Sequence, residues 1–345
     1  MHHSNATGGS PRPTPTGAIR RRELLRTVAG ASVAVALPGA TLATIGRLDK
    51  AVRIGVIADL HQDIMHDGLE RMTAFTTNMS KSQPDAVMQL GDFAYPNASN
   101  SDVIDLFNQS HDRTLHVIGN HDTDSGHTIQ QCLDVWNMPA RYYTQNIEGL
   151  DVIVLDGNDK GSPTHKGGYA SFIGPEQTTW LKEQLVALTG PIVVVSHQPL
   201  AGYAAVDNAE EIQMILGTAS DKIVLALNGH THVDDLLQIN GISYLHVNSA
   251  SYLWVGGPYK HESYSKDIHA SHRWIEYTCP YRDPLFTMLT IDPANQSVKV
   301  RGTASEWVGP APDVLGRGID SGLTSGDAIA PKISSRRIDK LAKQA

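Results

Sequence analysis

Short apolar runs alternate with longer amphipathic segments from about residue 52 onward. An apolar run bounded by Gly or polar residues predicts a buried strand, and apolar residues three or four apart predict a helix. The predicted strands are 54–58, 86–90, 114–118, 142–147, 151–155, 192–196, 223–227, 236–239, 244–247, 286–291 and 298–301. The predicted helices are 68–82, 102–112, 129–136, 175–188 and 209–216. This alternation predicts an α/β fold.

Five of the predicted strands run into residues that can bind a metal ion. The residues that follow them are Asp59, Asp92, Asn120, His197 and His230. Since open α/β sheets bind ligands at the carboxyl ends of their strands, we expect the five strands to bring these side chains to one edge. Gly119 is expected to let the backbone bend sharply, so that Asn120 and His121 stand at the end of their strand.

The composition is that of a soluble globular protein with a sizeable core. Of 345 residues, 41% are hydrophobic and 19% are charged, which favours one catalytic domain, expected at 51–305, with tails. The net charge is −8; the first 50 residues hold seven Lys or Arg and two acidic residues, so the other 295 carry −13. This acidic body argues against general nucleic-acid or anionic-membrane binding.

Residues 1–50 are predicted to be a disordered N-terminus followed by an export signal. The basic stretch 20–26 precedes the uncharged, Ala-rich stretch 27–43, with small residues near its end. Arg21 and Arg22 followed by two leucines resemble a twin-arginine signal, although Arg20 stands where that pattern usually has Ser or Thr. The apolar stretch is shorter than the ~20 residues that span a bilayer. We therefore expect export to the periplasm or the extracellular space, without a stable membrane span.

Three other segments interrupt the pattern. The Gly-rich stretch 158–174 is either a surface excursion or an active-site loop. The stretch 251–283 is rich in Tyr, Trp and His, and is either a lid or substrate wall or a structural loop. Residues 306–345 are predicted to be a mobile C-terminal tail. Two cysteines, Cys132 and Cys279, exclude a disulfide framework and leave open one bridge or two buried thiols.

Potential metal ligands occur in five ordered blocks. The blocks are Asp59-Leu-His61, Gly91-Asp92, Gly119-Asn-His-Asp122, His197 and Gly229-His-Thr-His232. Carboxylate, imidazole and amide ligands suit Zn, Mn or Fe, and the absence of thiolate disfavours structural zinc. Four histidines, two aspartates and an asparagine are too many for one ion and fit a pair of metals sharing a carboxylate.

Over about residues 52–249, these blocks closely resemble the calcineurin-like metallophosphoesterase superfamily. The resemblance implies a four-layer α/β/β/α sandwich of two stacked sheets. It implies that one metal binds Asp59, His61 and His232, that the other binds Asn120, His197 and His230, and that Asp92 bridges the two. It also implies that His121 lies just outside the metals, as an acid or a stabiliser of the phosphoryl group, with Asp122 orienting its ring. The alternative for His121 is a ligand of the second metal.

Tyr95 and six further histidines are assigned less directly. Gly91-Asp-Phe-Ala-Tyr95 resembles the purple acid phosphatases, in which that tyrosine binds ferric iron. Those enzymes have Gly where this chain has His61, so we expect Tyr95 to line the pocket instead. The six remaining histidines match no motif and are expected on the surface or in the core. Among them, His127 is close enough to Asn120 in sequence to line the cleft. The six are His66, His111, His116, His127, His165 and His246.

The sequence therefore predicts a dinuclear metal-dependent hydrolase of phosphate esters. The metals would lower the pKa of a bridging water, which attacks phosphorus as hydroxide. Diester and monoester substrates use the same metal cluster and both stay open; the aromatic residues of 251–283 favour a diester, such as a lipid or nucleotide phosphoester. A non-catalytic phospholigand-binding module is the rival from another class. The intact ligand set and His121 argue against it.

Overall fold

Two six-stranded sheets carry most of the strands in this computed structural model, which describes residues 44–318, 323 and 326–339. The strands are β1 Val52–Ile57, β2 Ala86–Gln89, β3 Thr114–His116, β4 Tyr143–Ile147, β5 Leu150–Val154, β6 Ile192–Ser196, β7 Ile223–Asn228, β8 Asp235–Ile239, β9 Ile242–His246, β10 Tyr252–Trp254, β11 Thr278–Pro280, β12 Thr287–Asp292, β13 Ser297–Val300, β14 Thr303–Ala304, β15 Lys332–Ile333 and β16 Arg336–Asp339. The α-helices are α1 Gly68–Ser82, α2 Ser101–Asn108, α3 Ile129–Val135, α4 Pro175–Ala187, α5 Ala209–Gly217 and α6 Lys266–Ser271.

The five ligand-bearing strands divide between the two sheets. The first sheet has the order β16-β13-β12-β1-β2-β3, with β1, β2 and β3 parallel. The second has the order β4-β5-β6-β7-β9-β8, with β5, β6, β7 and β9 parallel. We expected all five strands to bring their ligands to the edge of one sheet. Instead, the carboxyl ends of β1, β2 and β3 in the first sheet meet those of β6 and β7 in the second.

Alternating side chains on the second sheet bury its two faces in different layers. Val152 and Val154 of β5 belong to the core cluster that also holds the strands of the first sheet and the inner faces of α1 and α2. Ile153 and Leu155 belong to a second cluster with α4 and α5. Because strand side chains alternate between faces, one sheet surface packs on the other sheet and the opposite surface packs on helices. The predicted α/β/β/α sandwich is confirmed.

Helix α1 shows how the predicted helices are anchored. Met72, Phe75 and Met79, spaced three and four residues apart, are buried against the sheet. Arg71 on the same helix is 2% exposed; it pairs with Asp67 and donates hydrogen bonds to the carbonyls of residues 250 and 281. The helix therefore holds both ends of the segment 251–283 against the sandwich.

Residues 332–339 form regular structure where a mobile tail was predicted. Arg336–Asp339 forms β16 at the edge of the first sheet, with Ile338 buried opposite Val298. Arg336 also pairs with the buried carboxylate of Asp234. The prediction of a mobile tail from residue 306 is thus wrong for residues 332–339, because edge pairing and a buried ion pair outweigh their polar composition.

The catalytic domain also begins earlier than predicted. Residues 44–47 form a 3-10 helix, and the hydroxyl of Thr44 donates to the backbone carbonyls of Asp221 and Lys222. Ile45 and Leu48 are buried in the main core, so the domain includes at least residues 44–50. The predicted export signal, at 20–43, lies outside the described residues.

The cysteines do not form a bridge. Cys132 and Cys279 are both free and buried. Burial raises the pKa of the Cys132 thiol and raises that of Cys279 to about 12, as expected for unreactive core thiols. Among the described helices, none is long and apolar enough to cross a membrane.

Candidate metal centre

Six of the predicted ligands form two compact groups of donor atoms, five of them on buried residues and the sixth, His230, on a half-buried one. The first group contains Asp59, His61 and His232, and the second contains Asp92, His197 and His230. Within each group the donor atoms lie within 4.8 Å of one another, which is the spacing that a single ion requires. Both sheets contribute to each group, because Asp59 and Asp92 follow β1 and β2, whereas His197, His230 and His232 follow β6 and β7.

The first group is held by short contacts. The Nε2 atoms of His61 and His232 are 3.1 Å apart, and His232 Nε2 lies 3.3 Å from Asp59 Oδ1. His232 Nδ1 donates to the backbone carbonyl of Tyr252 at 2.8 Å, so the lone pair of the neutral ring is on Nε2. That lone pair faces a carboxylate oxygen and another imidazole nitrogen, an arrangement that a cation between them would stabilise.

The second group includes the predicted amide ligand. Asn120 Oδ1 lies 3.1 Å from His197 Nε2, and His230 Nδ1 lies 3.2 Å from the same nitrogen. His197 Nδ1 donates to the carbonyl of Leu90 at 2.8 Å, which again directs Nε2 inward. Such outer hydrogen bonds fix the orientation of histidine ligands in metal sites.

Asp92 connects the two groups. Its Oδ2 atom lies 3.2 Å from His197 Nε2 and 3.6 Å from His61 Nε2. Its Oδ1 atom accepts the backbone N–H of His121 at 2.8 Å. The carboxylate is therefore fixed through one oxygen while the other faces both groups, and the donor set fits two cations that share Asp92.

Backbone strain is concentrated at the same residues. Five of the seven predicted ligands have φ between 49° and 67°, a region that non-Gly residues seldom adopt; they are Asp59, His61, Asp92, His230 and His232. Each such residue costs of the order of 1–3 kcal/mol and persists only where the surrounding fold enforces it. The fold thus holds these side chains in place at a cost in stability.

Glycines next to the ligands provide space. A Cβ atom on Gly119 would lie 2.2 Å from the backbone nitrogen and from Oδ1 of Asp92, and one on Gly229 would lie 2.5 Å from Asp59 Oδ2. Gly119 does not have a left-handed φ. The prediction that Gly119 provides a sharp bend is therefore corrected: glycine is needed there because two loops approach closely.

Burial and the Asp92 carboxylate shift the pKa values of the histidines at the metal centre. Burial lowers the pKa of His230 to about 3 and holds that of His61 well below its usual range. Burial also acts to lower the pKa of His197, but the Asp92 carboxylate raises it to about 9. His61 and His230 are therefore neutral at neutral pH, as ligands must be, whereas a cation at the second group displaces a proton from His197.

His121 belongs to neither group of donor atoms and contacts a different acid from the one predicted. Its Nδ1 lies 2.8 Å from Oδ2 of Asp124 and 3.2 Å from the hydroxyl of Tyr169. Asp122 instead accepts the backbone N–H groups of Asp92, Phe93 and Gly119, with burial raising its pKa to about 7. The prediction that Asp122 orients His121 is wrong, because Asp122 points inward and braces the ligand loops.

A sequence model of the family described as calcineurin-like phosphoesterase matches residues 52–234, more than half of the chain. The chain belongs to the calcineurin-like phosphoesterase family. This confirms the resemblance drawn from the five blocks, and with it metal-dependent phosphoester hydrolysis as the class of chemistry.

Solved structures show the same fold. A dimetal phosphatase from Danio rerio is 12% identical, with a TM-score of 0.52 over 75% of this phosphoesterase and 99% of that chain. GAP50, the anchor in the inner membrane complex of Plasmodium, is 14% identical, with a TM-score of 0.51 over 86% of this chain and 90% of that one. No curated protein matches the sequence.

A cavity of about 750 Å³ opens beside the metal centre of this phosphoesterase. Ligand residues and His121 line one part of it, and Tyr252, Trp254 and Trp274 line another. The segment 251–283 therefore provides a wall of the cavity, as one of the two alternatives predicted. Tyr169 also lines the cavity, so the Gly-rich stretch 158–174 contributes to the active site as well as to the surface.

The other predicted histidines and Tyr95 lie mostly where expected. Tyr95 lines the cavity and its ring stacks on His127 at 5.1 Å, so His127 lies directly behind the cavity wall. His116 and His246 are buried and bonded to neighbours in the core. His111 is half-buried, with Nε2 beside the backbone carbonyl of Pro84. His165 lies beside Asp207 at the surface, and His66 packs against Tyr264.

Sequence reasoning missed several residues of the site. Asp124 follows the Gly119–Asp122 block, but its pairing with His121 depends on a kink at residues 124 and 125. Tyr169 lies 48 residues after His121 and only the fold brings them together. Arg317, which also lines the cavity, comes from the segment predicted to be a tail.

Proposed function

We propose that this protein is a dinuclear phosphoesterase that prefers phosphodiesters. Asp59, His61 and His232 hold one ion; Asn120, His197 and His230 hold the other. Asp92 is shared by the two ions. The observation that carries this assignment is the position of Asp92 Oδ2, within 3.6 Å of both His61 Nε2 and His197 Nε2. When bound, the two ions would polarise the phosphoryl oxygens and lower the pKa of a nucleophilic water.

The chain itself supplies the proton for the departing oxygen. Because Asp124 and Tyr169 occupy Nδ1 of His121, Nε2 is the nitrogen that can donate to the leaving group. Burial acts to lower the pKa of His121, but Asp92 and Asp124 raise it above its usual value. The raised pKa increases the protonated fraction of the ring near neutral pH, in the direction that a general acid needs. This assignment favours the acid role of His121 over the ligand role.

The preference for diesters rests on the size and lining of the cavity. Its volume of about 750 Å³ is that of a pocket for a whole small molecule and far exceeds the space of one phosphoryl group. A second substituent on phosphorus would bury apolar area against the aromatic wall, whereas a monoester would leave this wall exposed to water. A monoesterase is the second candidate.

The test is hydrolysis of matched chromogenic substrates after reconstitution with Mn, Fe or Zn. We expect metal-dependent turnover, with kcat/KM at least tenfold higher for bis(p-nitrophenyl) phosphate than for p-nitrophenyl phosphate. The reverse order would assign a monoesterase. Absence of turnover with every metal, together with retained binding of phosphate, would assign the non-catalytic phospholigand-binding module.

We also propose that the protein is exported through the twin-arginine route. The support is the Arg21-Arg22 pair before the apolar stretch 27–43. Since this route carries folded proteins, the metal centre would be loaded before export, and its substrates would lie in the periplasm or outside the cell.

A further inference from the structure

A continuous row of aromatic rings leads from the metal centre into the cavity. The ring of Tyr252 is 4.9 Å from those of His61 and His232, both assigned as metal ligands. Trp254 follows at 6.5 Å, since residues i and i+2 of strand β10 lie on one face, and Leu253 between them is buried on the other. Tyr277 then lies 5.5 Å from Trp254, and Trp274 lies 5.3 Å from Tyr277.

Two rings of this row are exposed although they are large and apolar. Trp254 is 41% exposed and Trp274 is 43% exposed, and both line the cavity. The Trp254 ring is held in place by Tyr277, on which it stacks at an interplanar angle of 4°. The Lys260 ammonium in turn lies 4.1 Å from the centroid of the Tyr277 ring. A fixed, exposed indole next to a catalytic centre is suited to stacking on a planar group.

The charge at this wall fits an anionic ligand. The guanidinium of Arg273 lies 5.0 Å from the centroid of Trp274, and Arg273 also lines the cavity. In a chain with a net charge of −8, a cation at this position favours a substrate that carries negative charge.

We propose that Trp254 and Trp274 form a subsite for a planar ring on the non-leaving side of a phosphodiester, as in a nucleoside ester. This inference rests on the proposed function, because it places phosphorus at the metals and the ring along the row. Tyr252 lies between the metal centre and Trp254, and it sets the separation between phosphorus and the stacked ring. The substrate class is then a diester with a nucleoside or another flat aromatic substituent, rather than one with only alkyl groups.

The experiment uses the metal-loaded full-length chain and two diesters with the same leaving group. These are thymidine 5′-(p-nitrophenyl) phosphate and methyl p-nitrophenyl phosphate. Since stacking of one base contributes about 5- to 140-fold by alanine substitution, we expect KM for the thymidine ester to be at least tenfold lower. Trp254→Ala should remove most of this difference, because KM should rise much more for the thymidine ester than for the methyl ester.

Two further variants separate stacking from folding. Trp254→Phe should keep part of the preference for the thymidine ester, because phenylalanine also stacks. Tyr142→Ala is the matched control, since its ring packs on Trp180 outside the cavity, and it should change neither substrate. Equal KM values for the two esters in the wild type, or an equal loss on both in Trp254→Ala, would overturn the subsite.

A binding measurement separates the subsite from the proposed function. Calorimetric titration with thymidine 5′-monophosphate should show at least tenfold weaker binding to Trp254→Ala than to the wild type. If neither diester is hydrolysed but this difference is found, the diesterase proposal fails and the subsite stands. Equal binding to both proteins would reject the subsite while leaving the hydrolytic function intact.

Discussion

Nδ1 of His121 lies 2.8 Å from Oδ2 of Asp124, three residues further along the same turn. The Tyr169 hydroxyl donates to the same carboxylate oxygen at 2.7 Å. His121 is about one-third exposed and Asp124 is about one-quarter exposed, so the pair lies at the cavity surface beside the buried donor groups. The imidazole is thus held by an acid outside the candidate metal shell, as a proton donor to the leaving group would be.

Removal of the His121 ring should affect esters according to their leaving group. We expect His121→Ala to keep both metals and to lose ~10²–10⁴ in kcat on alkyl esters, because a general acid contributes about this much. The loss on a p-nitrophenyl ester should be much smaller, since that leaving group needs no proton. His165→Ala, at the surface, is the control. Equal losses on both esters would indicate electrostatic stabilisation alone, and loss of a metal would restore the ligand role.

Replacement of Asp124 should shift the pH profile. Asp124 helps to raise the pKa of His121, so Asp124→Asn lowers that pKa. Because the acid must be protonated, activity falls as pH rises through its pKa, and the alkaline limb for an alkyl ester should move to lower pH. Tyr169→Phe should shift the profile less, since it removes no charge. An alkaline limb that stays in place in Asp124→Asn would contradict the proposed pairing.

Metal content should distinguish a bridging ligand from a terminal one. Asp92→Asn is expected to weaken both ions, because Oδ2 faces both groups of donor atoms. Asn120→Ala should mainly empty the second position. Metal analysis of the purified variants measures this, with Asp85→Asn, which lies at the surface beside Lys50, as the control. Loss of a single ion to the same extent in both variants would exclude the bridge.

His116 should make folding stability sensitive to acid. Burial lowers the pKa of His116 to about 3, well below its unfolded value of 6.5. The unfolded chain therefore takes up a proton that the folded chain does not, and stability is lost as pH falls below about 6.5. Between pH 7.5 and 5 this costs ~2 kcal/mol.

His116→Gln removes the titrating group and should reduce the acid sensitivity by this amount. The measurement is the difference in unfolding free energy between pH 7.5 and 5, from urea titrations of the variant and the wild type. An unchanged slope in His116→Gln would show that His116 is protonated in the folded state at pH 5.

Export should depend on the paired arginines. Lys at both Arg21 and Arg22 is expected to leave precursor inside the cell, because the twin-arginine machinery recognises the pair and not only the charge. Cell fractionation with antibody detection measures the exported fraction. A variant with Arg12→Lys and Arg26→Lys, which keeps the pair, is the control. Unchanged secretion of the paired variant would assign the general secretory route.

The sequence by itself determined the order of the main strands and helices, although not helix α6 or the strands β10, β11, β14, β15 and β16, and it determined the residues of the metal groups. Helix α1 and strand β6 have the bounds that their apolar patterns predict, and the other main predicted elements differ by a few residues. The five ligand blocks could be identified from the sequence because each follows an apolar run directly. The local sequence therefore fixes which side chain stands at the end of each strand. The family's pattern of Asp, His and Asn then identified the chemistry.

Only the tertiary structure decided how these ends come together and what surrounds them. Asp59 and Asp92 meet His197, His230 and His232 across two sheets, and no local pattern contains that pairing. Asp124 replaces Asp122 as the partner of His121 because a backbone kink turns one carboxylate outward, while Asp122 is occupied by three backbone N–H groups. Tyr169 and Trp254 reach the cavity from distant segments, because packing sets contacts between residues far apart in sequence.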